Sequence, residues 1–112
     1  MGDIPSYEYL MHHAQASFSI PTPARYMARL CNHFAHRVTV QRDATSAKVS
    51  FPDAPCSMQA TDDHLEIQIE TDDAATLERL QGVVTRHLKQ VAPDQTFEVS
   101  WTVSQVSAHR HN

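Results

Sequence analysis

Apolar and polar positions alternate along much of this chain and switch to helical spacing in two stretches. Ala14, Ala16, Phe18 and Ile20 fall on one side of a period-two pattern and Gln15, Ser17 and Ser19 on the other, which predicts a half-buried strand. The chain then changes period. Over residues 22–37, at about 100° per residue, Met27, Leu30, Cys31 and Phe34 share one stripe, while Arg25, Arg29, Asn32 and His36 lie opposite and Tyr26, His33 and Arg37 form a flank. Thr22 followed by Pro23 reads as a helix start, with Thr22 accepting from a first-turn amide and Pro23 at the first helical position.

Alternation returns after the helix. Val38 and Val40 mark one strand, and Ala47, Val49 and Phe51 a second after the Arg42 to Ser46 turn. Cys56, Met58 and Ala60 mark a third beyond Pro52-Asp53-Ala54-Pro55, and Leu65, Ile67 and Ile69 a fourth beyond Asp62-Asp63. A second helix opens at Asp72 or Asp73, carries Leu77, Leu80, Val84, Leu88 and Val91 on one stripe, and stops at Pro93. Phe97, Val99, Trp101 and Val103 predict a closing strand over 96–103. Strands that alternate cleanly belong to a sheet with one covered face, so the expectation is a two-layer α+β domain in the order β-α-β-β-β-β-α-β, with two helices on one face of an antiparallel sheet. Residues 1–13 read as a loose arm, 14–104 as the domain and 105–112 as a frayed tail.

Composition narrows the function classes. With 112 residues, 41% hydrophobic and 20% charged, the chain is one ordinary globular domain. A net charge of −4 argues against a dedicated nucleic-acid binder and leaves only a local basic patch for such contact. No apolar run is long enough to span a membrane, and Met1-Gly2-Asp3-Ile4-Pro5 lacks the build of a signal peptide, so a cytoplasmic location is expected. Two cysteines do not make a disulfide framework. Gly2 and Gly82 are the only glycines, so no glycine-rich phosphate loop exists.

The pattern Thr22-Pro23, Arg25-Tyr26, Leu30-Cys31, His33-Phe34 and His36-Arg37, with Phe51-Pro52, Cys56, His87-Leu88 and Phe97 to Trp101, resembles the bacterial family called domain of unknown function 2218. The likeness covers roughly residues 14–103, and its most specific part is Leu-Cys-x-His-Phe-x-His. The resemblance implies a small stand-alone bacterial protein in an iron-related context, since related domains accompany flavin-dependent siderophore-interacting reductases. It implies no particular activity.

Several constellations carry candidate chemistry. Cys31, His33, His36 and Cys56 are zinc-type ligands, but on a regular helix Cys31 points about 140° away from His36 and about 160° from His33, which denies them a shared ion. A narrower metal set is His33 and His36, three apart, with His87 as the third ligand; His87 lies about 40° from the centre of the second helix's stripe. The thiols of Cys31 and Cys56 both face the predicted core, without the Cys-x-x-Cys spacing that activates one. Arg25, Tyr26, Arg29, His33, His36 and Arg37 form a basic, hydrogen-bonding face suited to an anionic ligand. The carboxylate pairs Asp62-Asp63 and Asp72-Asp73 sit where a turn and a cap need them. No set of residues composes a catalytic centre and none demands a cofactor. The sequence therefore points to a non-enzymatic accessory or ligand-binding domain, open to self-association or to a siderophore-related reductase as partner; the alternative is a metal-binding protein or redox enzyme using His33, His36 and His87, with or without a cysteine.

Overall fold

A computed structural model describes residues 7–110 and gives the predicted order: β1 (Tyr7–Ser19), α1 (Pro23–Phe34), β2 (Thr39–Arg42), β3 (Ser46–Phe51), β4 (Ala54–Ala60), β5 (His64–Thr71), α2 (Ala74–Val91) and β6 (Thr102–Arg110). All six strands join one open antiparallel sheet in the order β2-β3-β4-β5-β1-β6. The period-two pattern sets the register. Ala14, Ala16 and Phe18 lie across from Ile69, Ile67 and Leu65, and Ile69 and Ile67 lie across from Cys56 and Met58. A row of buried side chains therefore runs across three strands, and both helices lie on it.

From α1, Met27, Leu30, Cys31 and Phe34 enter the core, and from α2, Leu77, Leu80, Val84 and Leu88. The sheet's other face carries Gln15, Ser17, Ser57 and Gln59, all exposed. Turn chemistry does the local work. The Asp43 carboxylate accepts from the Thr45 and Ser46 amides at 3.0 and 2.7 Å, and these bonds hold its carboxyl below the usual range. Pro52-Asp53 closes the β3–β4 hairpin with Asp53 at φ 59°, a left-handed position that Asp tolerates. Asp73, rather than Asp72, caps α2 by accepting from the Thr76 amide at 2.9 Å.

The start of α1 differs from expectation. Thr22 has φ 46° and ψ 61° and makes no side-chain cap, because a capping hydroxyl reaches the first-turn amides only from an extended backbone. Its carbonyl accepts from Arg25 and Tyr26 instead, at 3.0 and 3.4 Å. The helix also ends at Phe34 rather than Arg37. The Arg37 and Val38 amides both turn back to the Phe34 carbonyl, so His36 and Arg37 occupy a tight turn leading to β2.

The last strand is shifted as well. Residues 96–101 join no strand and are held by side chains: the Phe97 ring stacks on Phe18 at 5.2 Å, and the Trp101 indole N–H donates to Thr85 Oγ1 at 3.0 Å. Pairing begins at Thr102 and runs to Arg110, opposite Gln15 back to Tyr7. Phe97, Val99 and Trp101 alternate because their side chains are partly buried against the core, Phe97 on Phe18 of β1 and Trp101 on Thr85 of α2, without a sheet ladder. Residues 7–13 and 105–110, read from sequence as arm and tail, are thus strand residues, and 7–11 with 106–110 form a two-stranded ribbon beyond the end of β5; residues 1–6 and 111–112 lie outside the described residues.

Two substitutions test this arrangement. Phe34→Ala should lower stability by about 3–5 kcal/mol, the cost of emptying a buried aromatic site. Thr22→Ala should cost less than about 0.5 kcal/mol, as at an ordinary surface position, where a capping Thr would cost about 0.5–2. Chemical denaturation of both variants reads the difference.

Candidate functional site

Because α1 stops at Phe34, its last turn and the following bend face the middle of α2 across a groove of about 510 Å³. Phe34, Val38, Phe51, Leu80 and Val83 form its apolar lining, and His33, His36, Arg37, Arg79 and His87 its polar lining. The size suits a small organic molecule. Four rings stand in series: Phe51 meets Phe34 edge-on at 5.0 Å, Phe34 meets His87 at 5.3 Å, and His87 meets His33 at 4.7 Å. Arg37 and Arg79 supply two guanidinium groups on the same groove, with no carboxylate among its lining residues.

His87 is oriented by its own helix. Its Nδ1 lies 2.6 Å from the Val83 carbonyl oxygen, which can only accept, so Nδ1 carries the proton and donates. In the neutral ring Nε2 then keeps its lone pair.

The expected basic face divides in two. His33, His36 and Arg37 line the groove, whereas Arg25, Tyr26 and Arg29 do not. Tyr26 is buried with 5% exposure and belongs to the core cluster, although its angular position had put it on the flank of α1. Arg29 lies over the Tyr26 ring at 5.4 Å and donates to the Val91 carbonyl at 3.4 Å, satisfying a free acceptor at the end of α2. Arg25 is exposed, and no side-chain bond engages it among the described residues.

The three histidines proposed for a metal, His33, His36 and His87, do meet at one groove. Among the described residues no group of three or more His, Cys, Asp or Glu is positioned to hold an ion. Cys31 and Cys56 are buried and unbridged beneath the sheet, away from these histidines' groove. Burial pushes the Cys56 thiol up to about 12, with Cys31 adding to the rise, and burial raises Cys31 too, offset in part by the Arg42 charge.

Arg79, Phe51 and Val83 were not anticipated as site residues. Phe51 read only as an inward strand position, and Val83 and Arg79 carried no signal of their own; only the crossing of α2 over the end of α1 brings them together.

The family model described as an uncharacterized protein conserved in bacteria (DUF2218) matches residues 15–102. The chain belongs to DUF2218. The match spans α1, α2 and the whole groove, and ends where β6 begins. Among solved structures, the DUF2218 chain is similar to PA4090 from Pseudomonas aeruginosa, determined by NMR: 28% identity, TM-score 0.68, covering 80% of this chain and 94% of that one. It also matches a de novo designed protein, Foldit4, at 16% identity and TM-score 0.47 over 85% and 96% of the two chains, a level that carries no functional meaning. No curated protein matches it. No helix among the described residues is long and apolar enough to cross a membrane.

Cysteine chemistry follows from burial. Buried thiols whose titration burial pushes upward offer little thiolate at neutral pH, so Cys31 and Cys56 should react with an aromatic disulfide reagent only as fast as the protein opens. Both should react at once in denaturant. Rapid labelling of the native protein would contradict this burial.

Proposed function

We propose that this DUF2218 protein is a non-enzymatic accessory domain that binds a small aromatic or otherwise apolar anion in the groove between the end of α1 and α2. The observation that carries the reading is the groove itself, where Phe34, Phe51, Leu80 and Val83 lie beside Arg37 and Arg79. An apolar body gains from leaving water against such a floor, and a carboxylate or similar group takes a bidentate bond from a guanidinium. Acidic residues elsewhere give the molecule its net charge of −4, so attraction for an anion is local to this lining. The iron-related setting implied by the family fits this chemistry: a siderophore or its aromatic fragment is a ligand of this class, and a siderophore-related reductase a partner of the corresponding kind.

A second reading, metal binding, has one observation in its favour. The His87 Nε2 lone pair is free while Nδ1 is tied to Val83, the arrangement by which a second partner fixes a metal-ligating imidazole, and the His33 ring lies 4.7 Å away. His36 would complete the set only by moving its turn.

One titration separates the readings. Amide and side-chain NMR shifts followed against salicylate, haem, a ferric siderophore and zinc should, for the anion reading, move the signals of Arg37, Arg79, Phe34 and His87 with the organic ligands. Arg37→Ala and Arg79→Ala should each weaken that binding at least tenfold while changing stability by less than about 0.5 kcal/mol. For the metal reading, zinc alone should shift His33 and His87, and acidification should release it because protons compete for the imidazoles. No response at the groove to any of the four would remove both.

A further inference from the structure

We infer that two copies of this chain pair through β6, edge to edge and antiparallel, joining their sheets across a twofold axis near Val106.

The sheet has two edges of unequal character. β2 is only Thr39–Arg42, and shortness and a charge at its end protect it from pairing. β6 runs over Thr102–Arg110, Thr-Val-Ser-Gln-Val-Ser-Ala-His-Arg, with no proline, no lysine and no acidic residue. Apart from Arg110 at its very end, no device that discourages strand addition is present along its nine residues. Its outer backbone groups face no other strand, since β6 is last in the sheet order.

The ribbon also carries the exposed apolar side chains. Among the described residues the exposed large hydrophobics are Leu10 at 46%, Val103 at 53% and Val106 at 58%, all on β1 or β6. β6 packs on β1 and makes no substantial contact with either helix, so an approaching strand meets no helix layer there. A two-stranded ribbon is marginal by itself and gains from a further strand on its edge.

Charge and symmetry select a second copy as the occupant. A chain of net charge −4 repels itself over most of its surface, yet 102–110 contains no acid and its one arginine lies at the end of the strand, so two copies meet along a seam free of carboxylates. In the antiparallel register centred on Val106, that valine meets its symmetry mate, and Thr102 lies opposite Arg110, so no like charges face each other. Met11 is the cross-strand partner of Val106 within one chain. Pairing therefore lines up Met11, Val106 and their two mates as one apolar row across the seam. The contact is isologous and consumes both β6 edges, leaving only the short β2 edges, which makes a closed pair rather than a fibre. The family match stops at residue 102, so this contact lies outside the matched region.

Sedimentation velocity and light scattering on the full chain, from the micromolar to the millimolar range, test the assignment. The expected result is a concentration-dependent mass of twice 12.6 kDa. Val106→Lys, which puts two like charges on the axis, should weaken association at least tenfold, and Val103→Lys, on the opposite face of the same strand, should weaken it without depending on the axis. Ser57→Lys on the polar face should leave it unchanged. Circular dichroism checks that each variant is folded, and isotope-filtered NOEs between labelled and unlabelled copies should appear at Val106. A wild-type protein monomeric throughout, or a dimer indifferent to both β6 lysines, would overturn the assignment.

Discussion

Phe34 is the last residue of α1 and stands at the border between core and groove. Its ring is buried with 6% exposure, closing the stripe begun by Met27, Leu30 and Cys31, and it touches Phe51 on one side and His87 on the other. Its carbonyl takes the amides of Arg37 and Val38, which ends the helix and starts the turn to β2. One residue thus fixes how α1 sits on the sheet, where α2 can cross it, and which side chains line the gap. Were the helix to continue for another turn, His36 and Arg37 would project along its outer side.

Most of the architecture was legible because burial on one face writes itself as alternation. Val49, Cys56, Met58, Leu65, Ile67 and Ile69 were each assigned an inward position from period alone, and each is buried. The same rule misled over 97–101, where Phe97, Val99 and Trp101 alternate because their side chains are partly buried against the core, with the backbone unpaired until Thr102. Alternation reports two environments; it does not report a hydrogen-bonded neighbour. In the same way Thr22 before Pro23 has the composition of a cap and the wrong backbone for one.

The site was only half legible. Its α1 contribution, His33, His36 and Arg37, stood out because a basic face on a short helix is visible in a helical projection, and His87 because an imidazole sat near an apolar stripe. Arg25, Tyr26 and Arg29 shared that projection and belong elsewhere, since a projection drawn for one helix contains no information about where its neighbour lies. Arg79 and Phe51 became site residues only through contacts made at long sequence separation. Chemistry that depends on which two helix ends meet is written in the crossing, and no local pattern encodes the crossing.

The pairing of β1 with β6 also governs how the molecule would respond to load. Tyr7 and Arg110 are register partners, so the two described ends of the chain emerge side by side at the same tip. Tension applied across them pulls neighbouring strands apart at right angles to their length, breaking one rung at a time from Tyr7 and Arg110 inward. Strands loaded along their length share force over every rung at once; these cannot. The ribbon would open like a zipper at low force, until the separation reached the stretch where β1 is flanked by β5 as well and Phe18 is anchored against Phe97.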